Sequence, residues 1–130
     1  MASTAPMRAS LAPYDVYPLQ ELLSRTARRL PEKVAIIDGD RRYTYRQFNE
    51  YSDRFATGLA SLGVSKGDHV AILAPNCAEF EIAFFGCVKA GAVATTVNSG
   101  YREREVAHQL NDSGAKLMVV HETLLQVAEA

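Results

Sequence analysis

The chain has 130 residues, 48% of them hydrophobic and 22% charged, with 14 basic and 15 acidic side chains and a formal charge of −1. That length suits one domain or part of one, and the composition is that of an ordinary globular protein. The charges are mixed along the chain, so no basic stripe invites nucleic acid, and no apolar run nears the roughly 18 residues a membrane helix needs.

Met1 to Pro13 is rich in Ala, Ser and Pro, with one Arg and no acid. It lacks the apolar region of a secretory signal. Residues 1–17 are expected to form a flexible tail, with organelle targeting as the weaker alternative. Pro18 then opens a helix with Leu19, Leu22, Leu23, Ala27 and Leu30 on one side, and Pro31 stops it. Val34 to Ile37 and Arg42 to Tyr45 flank Asp38-Gly39-Asp40, a pattern that predicts a small hairpin. It should lie apart from the main sheet or at its edge. Thr44 with Gln47 fits a capping box at the start of a helix. Phe48, Tyr51, Phe55, Leu59 and Leu62 recur at spacings of three and four and make its apolar face, before Gly63 ends it.

Lys66-Gly67-Asp68 reads as a turn, and His69 to Ala74 as a strand broken by Pro75. Asn76 is placed to cap the next helix, with Glu79 at the box position. Cys77 to Ala90 is apolar on most sides, as a central packing helix should be. Gly86 within it predicts a close backbone approach, and Gly91 a left-handed stop. Ala92 to Val97 is short and β-branched, and is expected to be a strand buried on both faces. Asn98, Ser99, Gly100 and Tyr101 follow its carboxyl end, where open α/β sheets tend to bind ligands. A helix, a strand from Lys116 to Val120 and a further helix from Glu122 complete the chain. The alternation after Tyr45 predicts an α/β fold: a mainly parallel sheet flanked by helices.

Few residues point directly to chemistry. Cys77 and Cys87 fall on different helix faces and cannot bridge; unpaired, buried thiols fit a reduced, cytoplasmic setting. Eight single glycines form no phosphate-binding fingerprint. His69, His108 and His121 lack a metal-ligand spacing. Glu103 and Glu105 alternate with Arg102 and Arg104, which reads as a solvated face. Residue patterns alone therefore reach only an α/β domain.

Four segments, in order, go further. PEKVAIIDGDRRYTYRQF (Pro31 to Phe48), GVSKGDHVAILAPNCAEF (Gly63 to Phe80), KAGAVATTVNSGY (Lys89 to Tyr101) and SGAKLMVV (Ser113 to Val120) resemble successive motifs at the N-terminal end of AMP-forming acyl-CoA synthetases. The Asn98 segment is most similar to the coumarate ligase, fatty-acyl ligase and luciferase branch of that adenylate-forming superfamily. The resemblance implies residues 18–130 are the N-terminal part of an AMP-binding domain. It implies a parent enzyme that joins a fatty or aryl carboxylic acid to CoA through an acyl-adenylate, using ATP and Mg2+. No catalytic residue or metal ligand is expected within this stretch, and none of these cofactors should bind it tightly alone. Asn98, Ser99, Gly100 and Tyr101 are carried over as a loop facing the CoA channel. Two departures bear on that loop: Ser99 stands where the family has Pro, and Arg102 where a Thr cap is usual. The rival expectation is a non-catalytic α/β binding module derived from the same subdomain.

Overall fold

The computed structural model describes residues 17–130. All but the last residue of the expected tail lies outside the described residues. The elements are α1 (Leu19–Arg29), β1 (Val34–Asp38), β2 (Arg41–Thr44), α2 (Tyr45–Ser61), β3 (His69–Leu73), α3 (Ala78–Lys89), β4 (Val93–Val97), α4 (Glu103–Ser113) and β5 (Leu117–Val120). A 3-10 turn at Glu122–Leu124 and a short helix α5 (Leu125–Glu129) follow.

β1 and β2 form their own antiparallel sheet, joined through Gly39 at φ 59°. The main sheet is parallel, in the order β4–β3–β5. Its register sets Leu73 opposite both Val97 and Val120. The centre is therefore β3. Val70, Ala71, Ile72 and Leu73 are all fully buried, and they alternate between two cores. Val70 and Ile72 face Leu59, Ala83 and Cys87, from α2 and α3. Ala71 and Leu73 face Val97 and Val106, from β4 and α4. Each large aliphatic side chain so buried contributes about 1.5–3 kcal/mol.

The expectation of a doubly buried strand at Ala92 to Val97 is corrected. β4 starts at Val93 and is an edge strand, with Val93 44% exposed and only Val97 buried. Its β-branched content marked a strand, but two of its residues are threonines. At this edge Thr96 is exposed to water, and Thr95 lies 3.5 Å from His69 Nδ1 on the neighbouring strand. β3, without a polar residue after His69, takes the site with neighbours on both sides.

The helix reading also needs adjustment at its rims. Leu23 and Ala27 carry the buried face of α1, while Leu19, Leu22 and Leu30 stay exposed. In α2 the Thr44–Gln47 box forms, with the Gln47 amide donating to Thr44 Oγ1 at 3.2 Å and Thr44 N–H to Gln47 Oε1 at 2.9 Å. Phe48 and Leu59 are buried, but Tyr51 and Leu62 are exposed; Leu62 lies past the last helical turn. α3 packs on both α1 and α2 as well as on the sheet. Its fully buried positions are the small ones, Ala78, Ala83, Gly86 and Cys87. The Phe84 and Phe85 rings are half-buried, and Phe85 meets Phe48 edge-on with centroids 5.4 Å apart. Gly91 takes the left-handed conformation expected of it, at φ 78°.

The expected Asn76 cap does not form. Asn76 is exposed and one residue too early; Cys77 occupies the cap position and makes no side-chain cap bond. Asp38 of the hairpin takes over, its Oδ2 accepting the Ala78 amide at 3.0 Å. At α4, Arg102 offers no acceptor, as its identity implies. Only the returning half of a box is made there, from Arg102 N–H to Glu105 Oε2 at 3.1 Å.

Candidate functional site

β3 and β4 run parallel, so their carboxyl ends open on the same side of the sheet. There the chain leaves β3 through Pro75 and Asn76 into α3, and leaves β4 through Asn98 to Tyr101 toward α4. Between the two exits lies an open pocket of about 460 Å³. Asn98, Ser99 and Tyr101 line it from the β4 side, and Asn76 and Phe80 from the α3 side. Gln109 of α4 closes the floor, donating from Nε2 to the Thr96 carbonyl at 3.0 Å.

The loop owes its shape to Asn98. Its Oδ1 accepts the Gly100 amide at 2.8 Å, and its carbonyl accepts the Tyr101 amide at 3.0 Å. An Asn side chain closing a turn on the backbone two residues ahead does locally what a proline does by ring closure. That bond orders the turn around Ser99. Gly100 does not line the pocket, and its φ is not positive. A Cβ there would come 3.2 Å from Asn98 Oδ1, so glycine gives this turn room. Of the four expected loop residues, the fold thus brings three to the pocket and uses the fourth to shape the turn.

Asn76, Phe80 and Gln109 were not among the expected site residues. The spacing from Pro75 and Asn76 to Phe80 was visible, but a cap and a core ring explained it locally. Their placement opposite Asn98 requires β3 and β4 to pair.

Chemically the pocket is neutral. Its polar groups are amides, hydroxyls and a phenol, and Tyr101 is its one titratable lining residue. It can exchange hydrogen bonds with an uncharged polar ligand, but it holds no acid–base pair. Among the described residues, no three His, Cys, Asp or Glu side chains gather to hold a metal ion. No helix of the described residues is long and apolar enough to cross a membrane.

A parallel three-stranded sheet flanked by helices, a separate hairpin and a strand-end pocket define an α/β domain with a candidate binding site at its strand ends. The match to a family model makes the assignment: residues 23–130 fit the AMP-binding enzyme family, and the chain belongs to it. Among curated proteins it is 37% identical over 117 residues to the long-chain-fatty-acid–CoA ligase of Salmonella typhimurium, covering 89% of this chain and 21% of that one. The chain thus spans about a fifth of the length of the curated relatives it matches. Among solved structures, the N-terminal domain of FACL13 from Mycobacterium tuberculosis superposes with a TM-score of 0.84 at 35% identity. That superposition covers 88% of this chain and 29% of that one. The anthranilate CoA ligase AuaEII, solved with anthranoyl-AMP, gives 0.83 at 32% identity, covering 87% and 22%.

Proposed function

We propose that residues 18–130 are the N-terminal part of an AMP-forming acyl-CoA synthetase acting on a fatty or aryl carboxylic acid in the cytoplasm, with residues 1–17 preceding the domain. The supporting observation is the likeness along nearly the whole chain to CoA ligases of both acid classes. In the reaction a carboxylate oxygen attacks the α-phosphorus of ATP, and the bond to the bridging oxygen breaks to release pyrophosphate. The CoA sulfur then attacks the acyl carbon, and AMP leaves with its bonding electron pair. Both steps depend on positioning and on cancelling developing charge. Mg2+ would be held elsewhere in the enzyme.

This chain's contribution is a wall. Asn98, Ser99 and Tyr101, shaped by Gly100, face CoA. The pantetheine arm of CoA carries amides and a hydroxyl but no charge, and the pocket offers matching neutral donors and acceptors. In the complete enzyme Gly100→Trp should raise the KM for CoA more than that for ATP; equal effects would refute the assignment of this loop. The 130-residue chain alone should give no acid-dependent pyrophosphate exchange against a panel of fatty and aromatic acids. Turnover by the purified chain, with host synthetases excluded, would overturn that division of labour.

A further inference from the structure

The cap that α3 lacks in its own segment comes from a three-residue clasp. Arg41 and Glu79 are 38 positions apart, yet Arg41 Nη1 bonds Glu79 Oε1 and Nη2 donates to Oε2 at 3.0 Å. Arg41 Nη2 also bonds Asp38 Oδ2, the oxygen that accepts the Ala78 amide at 3.0 Å. The hairpin and the first turn of α3 are one hydrogen-bonded unit. A guanidinium suits this place because its planar fork can grip one carboxylate with two nitrogens while reaching a second.

The clasp sits beside the pocket. Asn76, two residues before fully buried Ala78, lines the strand-end pocket on one side and, with Cys77 and Ile36, a second groove beneath the hairpin. Phe80, next after Glu79, lines the strand-end pocket too. Where α3 begins therefore decides where both residues stand relative to Asn98 and Tyr101.

We infer that Arg41 is a positioning residue for this pocket: through Asp38 and Glu79 it sets the start of α3, and with it Asn76 and Phe80. The inference rests on the reading that the pocket belongs to the CoA-facing wall. Arg41 is not among the residues that line the pocket; it acts through the helix it anchors.

The test compares Arg41→Gln and Arg41→Lys with Arg46→Gln, a control at a hairpin-side ion pair that involves Glu32 instead. Amide hydrogen exchange of the 130-residue chain is read at Ala78, Glu79 and Phe80, with the β3 amides reporting global opening. Arg41→Gln should speed exchange at the three helix-start amides about tenfold while β3 is unchanged. Arg41→Lys should give an intermediate effect, and Arg46→Gln none. Unchanged helix-start exchange in Arg41→Gln, or a uniform rise that includes β3, would overturn the anchoring. In the complete ligase Arg41→Gln should raise the KM for CoA several-fold with kcat held within about twofold. A working wild-type ligase whose KM for CoA ignores Arg41→Gln would overturn the positioning role. A wild-type protein that makes no acyl-CoA would instead refute the function proposed for the pocket, and the exchange experiment would still decide the clasp.

Discussion

Gly86 tests the α2–α3 interface most sharply. A Cβ built there would lie 2.5 Å from Phe55 Cδ1, 2.8 Å from its Cβ and 2.9 Å from its Cγ. Turning the Phe55 ring clears Cδ1 but cannot move Cβ, which is fixed to the α2 backbone. The helices must part by about half an ångström to restore ordinary contact. They are held together nearby by Lys89, 9% exposed at its side chain, whose Nζ donates to Asn49 Oδ1 at 2.6 Å and Asp53 Oδ1 at 2.7 Å. Gly→Ala in a helix interior otherwise gains about 1 kcal/mol of propensity. Overpacking a close contact costs about 1–3 kcal/mol, occasionally more, and here the clash involves an anchored atom. Gly86→Ala should therefore destabilise the chain by about 1–2 kcal/mol net. Gly58 of α2 supplies the opposite sign: nothing lies within 4 Å of its built Cβ, so Gly58→Ala should stabilise by about 0.5–1 kcal/mol. Urea unfolding at constant m-value, followed by circular dichroism, measures both. Gly86→Ala as stable as wild type, or the two variants moving in the same direction, would refute the packing argument. In a Phe55→Ala background Gly86→Ala should remain destabilising, because the Cβ contact survives removal of the ring.

Three further outcomes follow from burial and charge. Phe84 is half-buried, so Phe84→Ala should cost about 1–3 kcal/mol in the same unfolding assay, below the 3–5 typical of a fully buried ring. Burial pushes the Cys87 thiol up to about 11, while Cys77 is half-buried and raised mainly by desolvation. Iodoacetamide near neutral pH should thus label Cys77 first and Cys87 only in denaturant, as read by peptide mass. Glu79 is held down at about 2, chiefly by its bonds to Arg41, and Asp38 is lowered first by the Ala78 amide and then by Arg41. For Glu79 the folded value lies below the ordinary 4.5, so its contribution is fully present above pH 4.5 and fades as pH falls toward 2. Glu79→Gln should flatten stability across that window relative to wild type; an unchanged acid limb would show that the clasp carries none of it.

Local rules determined much of this protein. The Thr44–Gln47 box, the Asp38–Gly39 turn and the left-handed stop at Gly91 each depend on a few neighbouring residues, and each formed where its residues stood. The ordered motifs likewise pointed to the AMP-binding family, because each is a short run of neighbouring residues. Tertiary structure decided the remainder. Whether β3 or β4 is central depends on which strands pair, and β-branched content cannot tell an edge from a centre. The cap of α3 comes from Asp38, 40 residues upstream, so no window around Asn76 contains it. The pocket's second wall arises in the same way: Asn76 and Phe80 meet Asn98 only because β3 and β4 lie side by side in register. Short-range sterics and hydrogen bonding can be read along the chain, whereas partners distant in sequence meet only after sheet order and helix packing have brought them together.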